Sequence, residues 1–239
     1  MRALRAQIAA EITMTLQRGE TLLVTLGIPA FLLVFFSEVH VIATGDRHPV
    51  DFVTPGVLAL AVMSTAMVSL GIATGFERGY GVLKRLGSTP LGRPRLLAAK
   101  IVSVLAVEVL QVVVLAAIAF ALGWRPHAAA GLAVAVEILA TIAFAGIGLA
   151  MAGTLRAELN LALANAVYVV LLLTGGIVFP VSKLGALAGV SRVLPAAALS
   201  GALQAALGHG TAVPIESWIV LAAWAVLTPA IAAVTFRWD

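Results

Sequence analysis

Six uncharged or nearly uncharged segments account for most of the sequence, at residues 21–37, 52–76, 101–122, 130–153, 161–180 and 217–236. Each approaches or exceeds the roughly 20 residues that a helix needs to cross the hydrocarbon core of a bilayer. Because unsatisfied backbone groups are costly in lipid, such segments must be helical, and the alternation typical of a barrel strand is absent. The sequence therefore predicts an all-α polytopic membrane protein, with six transmembrane helices in a single transmembrane domain, residues 1–239.

The composition agrees with a chain whose solvent is the bilayer. Hydrophobic residues make up 62% of the 239 residues and charged residues only 11%, whereas roughly a quarter of the residues in soluble domains are charged. The formal net charge is +4, but the basic residues are dispersed among the loops, which argues against a nucleic-acid partner. The absence of cysteine excludes disulfides, thiolate metal sites and a cysteine nucleophile.

The distribution of lysine and arginine predicts the orientation. With the N-terminus inside, eleven of the 15 basic residues fall in inner segments, and the outer segments hold the other four, Arg47, Arg125, Lys183 and Arg192. Inner segments of membrane proteins carry an excess of such residues. We therefore expect a multi-pass protein of the bacterial inner (plasma) membrane, surrounded by membrane lipids, with both termini cytoplasmic.

Two segments outside the spans are predicted to lie at or partly within the membrane. In residues 1–20, an i, i+4 apolar stripe with Glu11 off it predicts an amphipathic interfacial helix; the stripe consists of Leu4, Ile8, Ile12 and Leu16. In residues 181–215, Pro195, Pro214 and Gly208 leave only about 12 good helical residues at 196–207, too few to span. We expect an external re-entrant helical hairpin between the fifth and sixth spans.

Residues 77–94, between the second and third spans, form a basic and amphipathic segment. Basic residues alternate with apolar residues at helical spacing; the basic set is Arg78, Lys84 and Arg85, and the apolar set is Val82, Leu83 and Leu86. This pattern predicts a short helix at the cytoplasmic face with one side offered to a partner.

The sequence contains none of the motifs that would give the chain its own catalytic chemistry. A phosphate-binding loop needs Gly-Lys-[Ser/Thr], but Lys84, Lys100 and Lys183 follow leucine, alanine and serine. Zinc-protease and nucleophile-elbow motifs are also absent. His40 and His48 have acidic neighbours, but their spacing matches no metal template. We therefore predict no catalytic residue, no metal ligand and no cofactor in this chain.

Two carboxylates, Glu108 and Glu137, fall near the middle of the third and fourth predicted spans. An ionisable group at that depth costs roughly 2.5–3.5 kcal/mol on insertion scales, so it needs an explanation. The two groups could carry protons along a translocation path. Alternatively, each could hydrogen-bond a neighbour within the bundle, such as Gln111 or Thr141, and we favour this structural role.

Taken in order, three motifs resemble the membrane subunits of type-2 ABC transporters, the short six-span permeases that include daunorubicin-type drug efflux proteins. The resemblance covers essentially the whole chain. The motifs are Pro55-Gly56; Glu77-Arg78 with Gly81, Leu83-Lys84-Arg85-Leu86 and Thr89-Pro90-Leu91; and Asn165 with Thr174-Gly175, Phe179-Pro180 and Leu194-Pro195. The sequence departs from the family pattern at Gly79, where an acidic residue is frequent, and at Gly185, where a proline is usual.

The resemblance implies an exporter in which two permease copies or paralogues form the substrate pathway and separate ATPase subunits hold ATP and Mg. It implies a coupling segment made of Glu77, Arg78, Gly81, Val82, Leu83, Lys84, Arg85, Leu86, Thr89 and Pro90. It also implies an external gate made of Thr174, Gly175, Phe179, Pro180, Leu194 and Pro195. Asn165, with Glu108 and Glu137, is a candidate pathway or interhelix residue. The alternatives are a proton-coupled carrier that uses Glu108 and Glu137, and a non-transporting membrane assembly protein.

Overall fold

Every element of regular structure in the described part of the chain is a helix. The computed structural model describes residues 2–17, 19–39, 49–88, 92–126, 130–177, 181–209 and 211–237. The α-helices are α1 Arg2–Gln17, α2 Gly19–Glu38, α3 Pro49–Gly79, α4 Val82–Gly87, α5 Arg93–Ala121, α6 Ala130–Thr154, α7 Ala157–Thr174, α8 Ala188–Arg192, α9 Pro195–Leu203 and α10 Ile215–Thr235. A 3-10 helix, Val181–Leu187, precedes α8, and a π-helix, Gln204–His209, follows α9. The predicted all-α polytopic class is confirmed.

Five of the helices, α3, α5, α6, α7 and α10, are long and apolar enough to cross a membrane. They correspond in order to the second to sixth predicted spans, with shifted boundaries. The first predicted span, 21–37, falls in α2, whose apolar stretch Leu23–Glu38 is shorter than the other five. The pair formed by α8 and α9 would add a span only if both were one broken helix, and they are bent by 88° to each other.

Several predicted boundaries differ from those of the helices. The predicted segment 77–94 is not one unit, because α3 continues to Gly79 and α5 already begins at Arg93. The fifth predicted span, 161–180, is displaced, since α7 runs over Ala157–Thr174. Gly176 then has φ 72°, a left-handed conformation that glycine adopts at no steric cost and that ends helices.

Three of the four residues on the predicted stripe of α1, Leu4, Ile8 and Ile12, are half-buried, but the packed face of the helix also includes Glu11. Glu11, predicted to lie off the buried stripe, is only 6% exposed, whereas Leu16 on the predicted stripe is 48% exposed. The reason is an ion pair with Lys100 of α5, at 3.1 Å, which draws Glu11 towards the bundle. The packed face of α1 therefore combines apolar residues with an ion pair, and hydrophobic periodicity does not report the ion pair.

Helix α6 lies at the centre of the bundle and crosses α3 at glycines. A Cβ atom added to Gly71 of α3 would lie 3.1 Å from the Cα atom of Gly148, and one added to Gly148 would lie 2.5 Å from the carbonyl oxygen of Met67. Met67 belongs to a π-helical stretch of α3, Met63–Ser69. Lipid supplies no hydrophobic force between helices, so close packing of small residues is what holds such a crossing.

Helix α10 packs along α6 in the same manner. Thr228 donates a hydrogen bond of 2.8 Å to the carbonyl oxygen of Ala143, and its hydroxyl occupies the space above Gly146. Further along, Phe236 covers Gly153, and the Arg237 amide donates to the Gly153 carbonyl at 3.1 Å. The end of α10 is thereby fixed to the end of α6.

The hairpin of α8 and α9 is attached to the bundle below the beginning of α10. The Trp224 indole donates to the carbonyl oxygen of Val193 at 2.9 Å, and Trp224 lies about 13 Å along α10 from its first residue at 1.5 Å per residue. The Ser191 hydroxyl donates to the carbonyl oxygen of Thr174, at the end of α7. The bend between α8 and α9 therefore lies within the depth of the bundle.

Contacts assign the helix ends to two ends of the bundle. At one end, Arg78 in the last turn of α3 donates to the carbonyl oxygen of Leu155 after α6 at 2.8 Å, and α1 is joined to α3 and α5 through Lys100. At the other end, the Gln204 side chain following α9 donates to the Phe52 carbonyl at 2.9 Å. Helices α1 and α4 and the end of α10 thus share one end of the bundle, which we call the basic end, and the hairpin lies at the opposite end.

We expect Gly148→Ala to lower the unfolding temperature of the purified protein, because the new methyl group meets backbone atoms of α3 that cannot move independently. Overpacking of this kind costs about 1–3 kcal/mol. Gly131→Ala in the same helix is the matched control, since a Cβ there meets nothing within 4 Å. Thermal unfolding of both variants in detergent checks the expectation, and equal stability of the two would contradict this description of the crossing.

Candidate functional site

Helix α4 forms a short element between two long helices at the basic end. Helix α3 ends at Gly79, and Gly81 with φ 72° turns the chain into α4, Val82–Gly87. The Arg85 amide bonds the Gly81 carbonyl at 3.3 Å, and Ser88 donates to the Arg85 carbonyl at 2.7 Å. The short helix predicted within residues 77–94 is therefore present as α4.

The side chains of α4 divide into an exposed set and a buried one. Val82 is 42% exposed and the preceding Tyr80 is 76% exposed, while Leu83 has no exposed surface. Lys84 and Arg85 are exposed and Leu86 is partly buried. The assignment of Leu83 to a partner-binding face is therefore corrected: its side chain packs in the protein's own core. Thr89 and Pro90 lie outside the described residues.

Behind α4, a buried lysine is paired with two carboxylates. The Lys100 ammonium, on a side chain only 1% exposed, lies 2.7 Å from Glu77 at the end of α3 and 3.1 Å from Glu11 of α1. Gln7 also donates to Glu11, at 2.9 Å. A buried charge requires such partners, since desolvation of an unpaired ion costs several kcal/mol. We call Lys100, Glu11 and Glu77 the Lys100 triad; it joins three helices around α4.

Arg78 makes the corresponding contact on the other side of α3. Its Nη2 atom donates to the carbonyl oxygen of Leu155, at the turn between α6 and α7. The neighbouring residues Glu77 and Arg78 thus connect the end of α3 to different helices. Glu77 thereby links the end of α3 to α5 and, through Lys100, to α1, and Arg78 links it to the α6–α7 turn.

In the middle of the bundle, Glu108 is buried between α5 and α6. Thr141 of α6 contacts the Glu108 carboxylate through its hydroxyl and also bonds the backbone carbonyl of Glu137 at 2.8 Å. Glu137 itself is half-buried. Of the two carboxylates, only that of Glu108 is in contact with Thr141, which is one of the neighbours that the sequence analysis proposes for a structural role.

Gln111 is occupied by other helices. Its amide donates to the carbonyl oxygen of Thr25 in α2 at 2.8 Å, and its side-chain oxygen accepts from the Thr65 hydroxyl at 3.1 Å. Gln111 therefore connects α5 to α2 and α3, and Glu108 connects α5 to α6. Buried polar groups at this depth serve as interhelix contacts when they are bonded across helices.

The two asparagines of α7 have different environments. Asn165, the candidate chosen from the sequence, is exposed and donates to the carbonyl of Leu161 in its own helix at 2.8 Å, so it does not join Glu108 and Glu137. Asn160 has no exposed surface and donates to the carbonyl of Gly71 at 2.8 Å. Its amide fills the space above Gly75, which makes it the polar contact between α3 and α7.

The residues assigned to an external gate come together where described. Thr174 and Gly175 end α7, and Leu194 and Pro195 form the bend between α8 and α9. A Cβ on Gly175 would lie 2.8 Å from that of Ala196, so the end of α7 and the start of α9 are in direct contact. Phe179 and Pro180 lie outside the described residues.

Sequence reasoning missed Lys100, Glu11 and Asn160. Lys100 was counted among the cytoplasmic flanking residues, because its position at the edge of an apolar run fits an exposed charge. Its neighbours Leu97, Ala99 and Val104 are all buried, so a lysine flanked by apolar residues on both sides was the available signal. Asn160 carried no signal apart from its place four residues into α7.

Chemically, these residues suit ion pairing and movement rather than bond-breaking. In the described part of the chain, no group of three histidine or acidic residues could hold a metal ion. His40, His48 and His127 lie outside the described residues. The polar groups that are described serve to connect helices across the bundle.

Comparison with known proteins gives one family. A family model described as ABC-2 type transporter matches residues 2–207, which include the Lys100 triad, α4 and the hairpin. No curated protein matches the chain.

We expect Lys100→Met to destabilise the protein by about 3 kcal/mol or more, because it leaves two carboxylates close together without a cation. Arg93→Met is the matched control: it removes one positive charge from the same end of α5, but Arg93 is exposed, so the effect should stay within about 0.5 kcal/mol. Chemical or thermal unfolding in detergent measures both, and addition of Glu11→Gln should recover part of the loss. Equal stability of the two single variants would contradict the triad.

We expect Glu108→Gln to retain stability and activity, since the amide keeps an oxygen against Thr141. Glu108→Ala should lose a modest amount of stability, because hydrogen bonds in membranes average roughly 0.6 kcal/mol. The measurements are thermal unfolding and transport activity in membranes. If Gln abolished activity as completely as Ala while the protein remained folded and assembled, Glu108 would be a proton carrier.

Proposed function

Since the chain belongs to the ABC-2 type transporter family, we propose that this ABC transporter permease works as an exporter, forms its pathway as a dimer and is driven by separate ATPase subunits. The partner subunits would hold ATP and Mg, and this chain would supply the transmembrane route. The dimer would consist of two copies of this chain or of this chain and a paralogue.

The observation that carries the ATPase coupling is the exposed face of α4 together with the Lys100 triad behind it. Tyr80 and Val82 offer apolar surface next to the exposed cations Lys84 and Arg85, a combination suited to a groove with acidic rims. Aromatic residues and arginine are the side chains most enriched at binding hot spots. Glu77 and Arg78 then provide contacts through which a force applied at α4 reaches four other helices.

Export through a gate at the opposite end is the second part of the proposal. The bend between α8 and α9, with Leu194 and Pro195, contacts the end of α7 at Gly175. A displacement of α7 relative to the hairpin would separate this contact. With the basic end towards the cytosol of a bacterium, as the positive-inside rule indicates, both termini would be cytoplasmic and the hairpin external.

A proton-coupled carrier is supported less well. Glu108 contacts Thr141 of the neighbouring helix, and Gln111 is bonded to α2 and α3. These contacts support a role in holding helices together. We therefore propose that the energy for transport comes from ATP on a partner chain.

We expect Val82→Asp to reduce co-purification of the partner ATPase subunit by about tenfold or more, because it puts a charge into an apolar contact. Arg85→Glu should act in the same direction. Insertion and thermal stability of both variants should match the wild type, since both side chains are exposed. Affinity purification of the tagged permease co-expressed with the ATPase measures the effect.

Two further variants serve as controls for this experiment. Ser88→Asp adds the same charge just beyond α4, at an exposed position, and should leave association unchanged. Leu83→Ala should lower stability by about 2–5 kcal/mol, as expected for a buried leucine. Unchanged association in Val82→Asp and Arg85→Glu would exclude this face as the ATPase contact.

A further inference from the structure

An open groove of about 560 Å³ runs between α2 and the half of α3 nearest the basic end. Its size falls in the range of roughly 300–1,000 Å³ that is usual for small-molecule sites. On the α3 side it is lined by one face of the helix, which includes Ile72, Phe76 and Tyr80 at spacings of four residues. Val24 and Thr25 of α2 form the opposite wall.

The walls of the groove are apolar for most of its length, with hydroxyl groups at intervals. Val68 and Ile72 contribute aliphatic surface, and Ser64 and Ser69 contribute hydroxyls. These side chains are half-buried; they are neither packed in the core nor fully open. An elongated or bulky apolar molecule with few polar groups fits such walls.

At the basic end, aromatic rings and a carboxylate lie together. The rings of Phe76 and Tyr80 stack with centroids 6.0 Å apart at an interplanar angle of 29°. Glu77, between them in sequence, also lines the groove. Aromatic faces attract organic cations through the ring quadrupole, and a nearby carboxylate adds a full opposite charge. This combination selects for a positive group.

The charges around Glu77 neutralise its carboxylate only in part. Glu77 is paired with Lys100, but Lys100 is shared with Glu11, so one positive charge faces two negative ones. The guanidinium of the adjacent Arg78 is directed to the Leu155 carbonyl. A second cation near Glu77 would therefore complete the pairing of the triad.

We propose that this groove binds amphiphilic organic cations, with the positive group at Glu77, Phe76 and Tyr80 and the apolar body along α2 and α3. This inference rests on the proposed function in one respect only: it takes such cations to be the class of molecule that is transported. The binding site itself is a property of this chain alone.

The test uses the full-length permease in lipid nanodiscs, without an ATPase. Tetraphenylphosphonium is the probe and tetraphenylborate is its matched control, since the two ions have the same shape and opposite charge. Binding is measured by equilibrium dialysis as the excess over protein-free discs. The expected result is saturable excess binding of tetraphenylphosphonium and none of tetraphenylborate.

Variants assign this binding to the groove. Glu77→Gln, which keeps the Lys100–Glu11 pair, should weaken tetraphenylphosphonium binding about tenfold, the value of a charge-assisted contact. Tyr80→Leu should weaken it roughly two- to fivefold, while Tyr80→Phe should keep it, because the ring provides the attraction. Phe31→Leu removes an exposed aromatic ring of α2 that does not line the groove, and it should bind as the wild type does.

Equal excess binding of the two ions, or unchanged binding in both Glu77→Gln and Tyr80→Leu, would overturn the proposal and would assign the groove to lipid or to a second permease copy. The result of this binding experiment does not depend on the result of the ATPase co-purification. A permease that binds the cation but recruits no ATPase would keep this site and lose the proposed function. A permease that recruits an ATPase without distinguishing the ions would lose only the site.

Discussion

The ion pairs of Lys100 are the contact on which the arrangement at the basic end depends. A lysine with 1% of its side chain exposed is stable there only because two carboxylates from other helices reach it. Glu11 determines which face α1 turns to the bundle, and Glu77 fixes where α3 ends relative to α5. The two helices that flank α4 in sequence, α3 and α5, are therefore joined at the basic end by one set of charges.

The interior depends on a different principle, close approach of backbones at α6. At Gly148 there is no room for a side chain against Met67, and Thr228 fills the space over Gly146 from α10. Because lipid is as apolar as leucine, these contacts hold the helices by packing and hydrogen bonding, and not by hydrophobic burial. A centre made this way allows little sliding of α3 and α10 along α6.

The membrane class, the existence of the long helices and the short helix after α3 could be predicted from hydropathy and charge, because both act over local stretches of sequence. The bend of the hairpin was predicted from Pro195. The prediction that Leu83 binds a partner was wrong. Helical spacing shows which apolar residues share a face, but not whether a partner or the protein's own core covers that face. Glu11, Lys100 and Asn160 could not be assigned because Glu11 and Lys100 are 89 residues apart in sequence, Asn160 is equally far from Gly71, and Lys100 is 23 residues from Glu77. A single sequence carries no information on such pairs.

Glu77 connects the regions proposed to act in transport. It lies at the end of α3 just before α4, it is paired with Lys100 and thereby with Glu11, and it lines the groove proposed for organic cations. A cation in the groove and Lys100 would share the same carboxylates, so binding in the groove would shift the balance of ion pairs that holds α1 and α5. Linkage requires the reverse as well: a movement of α4 that alters the pairing of Glu77 must alter the affinity of the groove by the same free energy. An ATPase acting on α4 could in this way weaken binding at the basic end without touching the ligand.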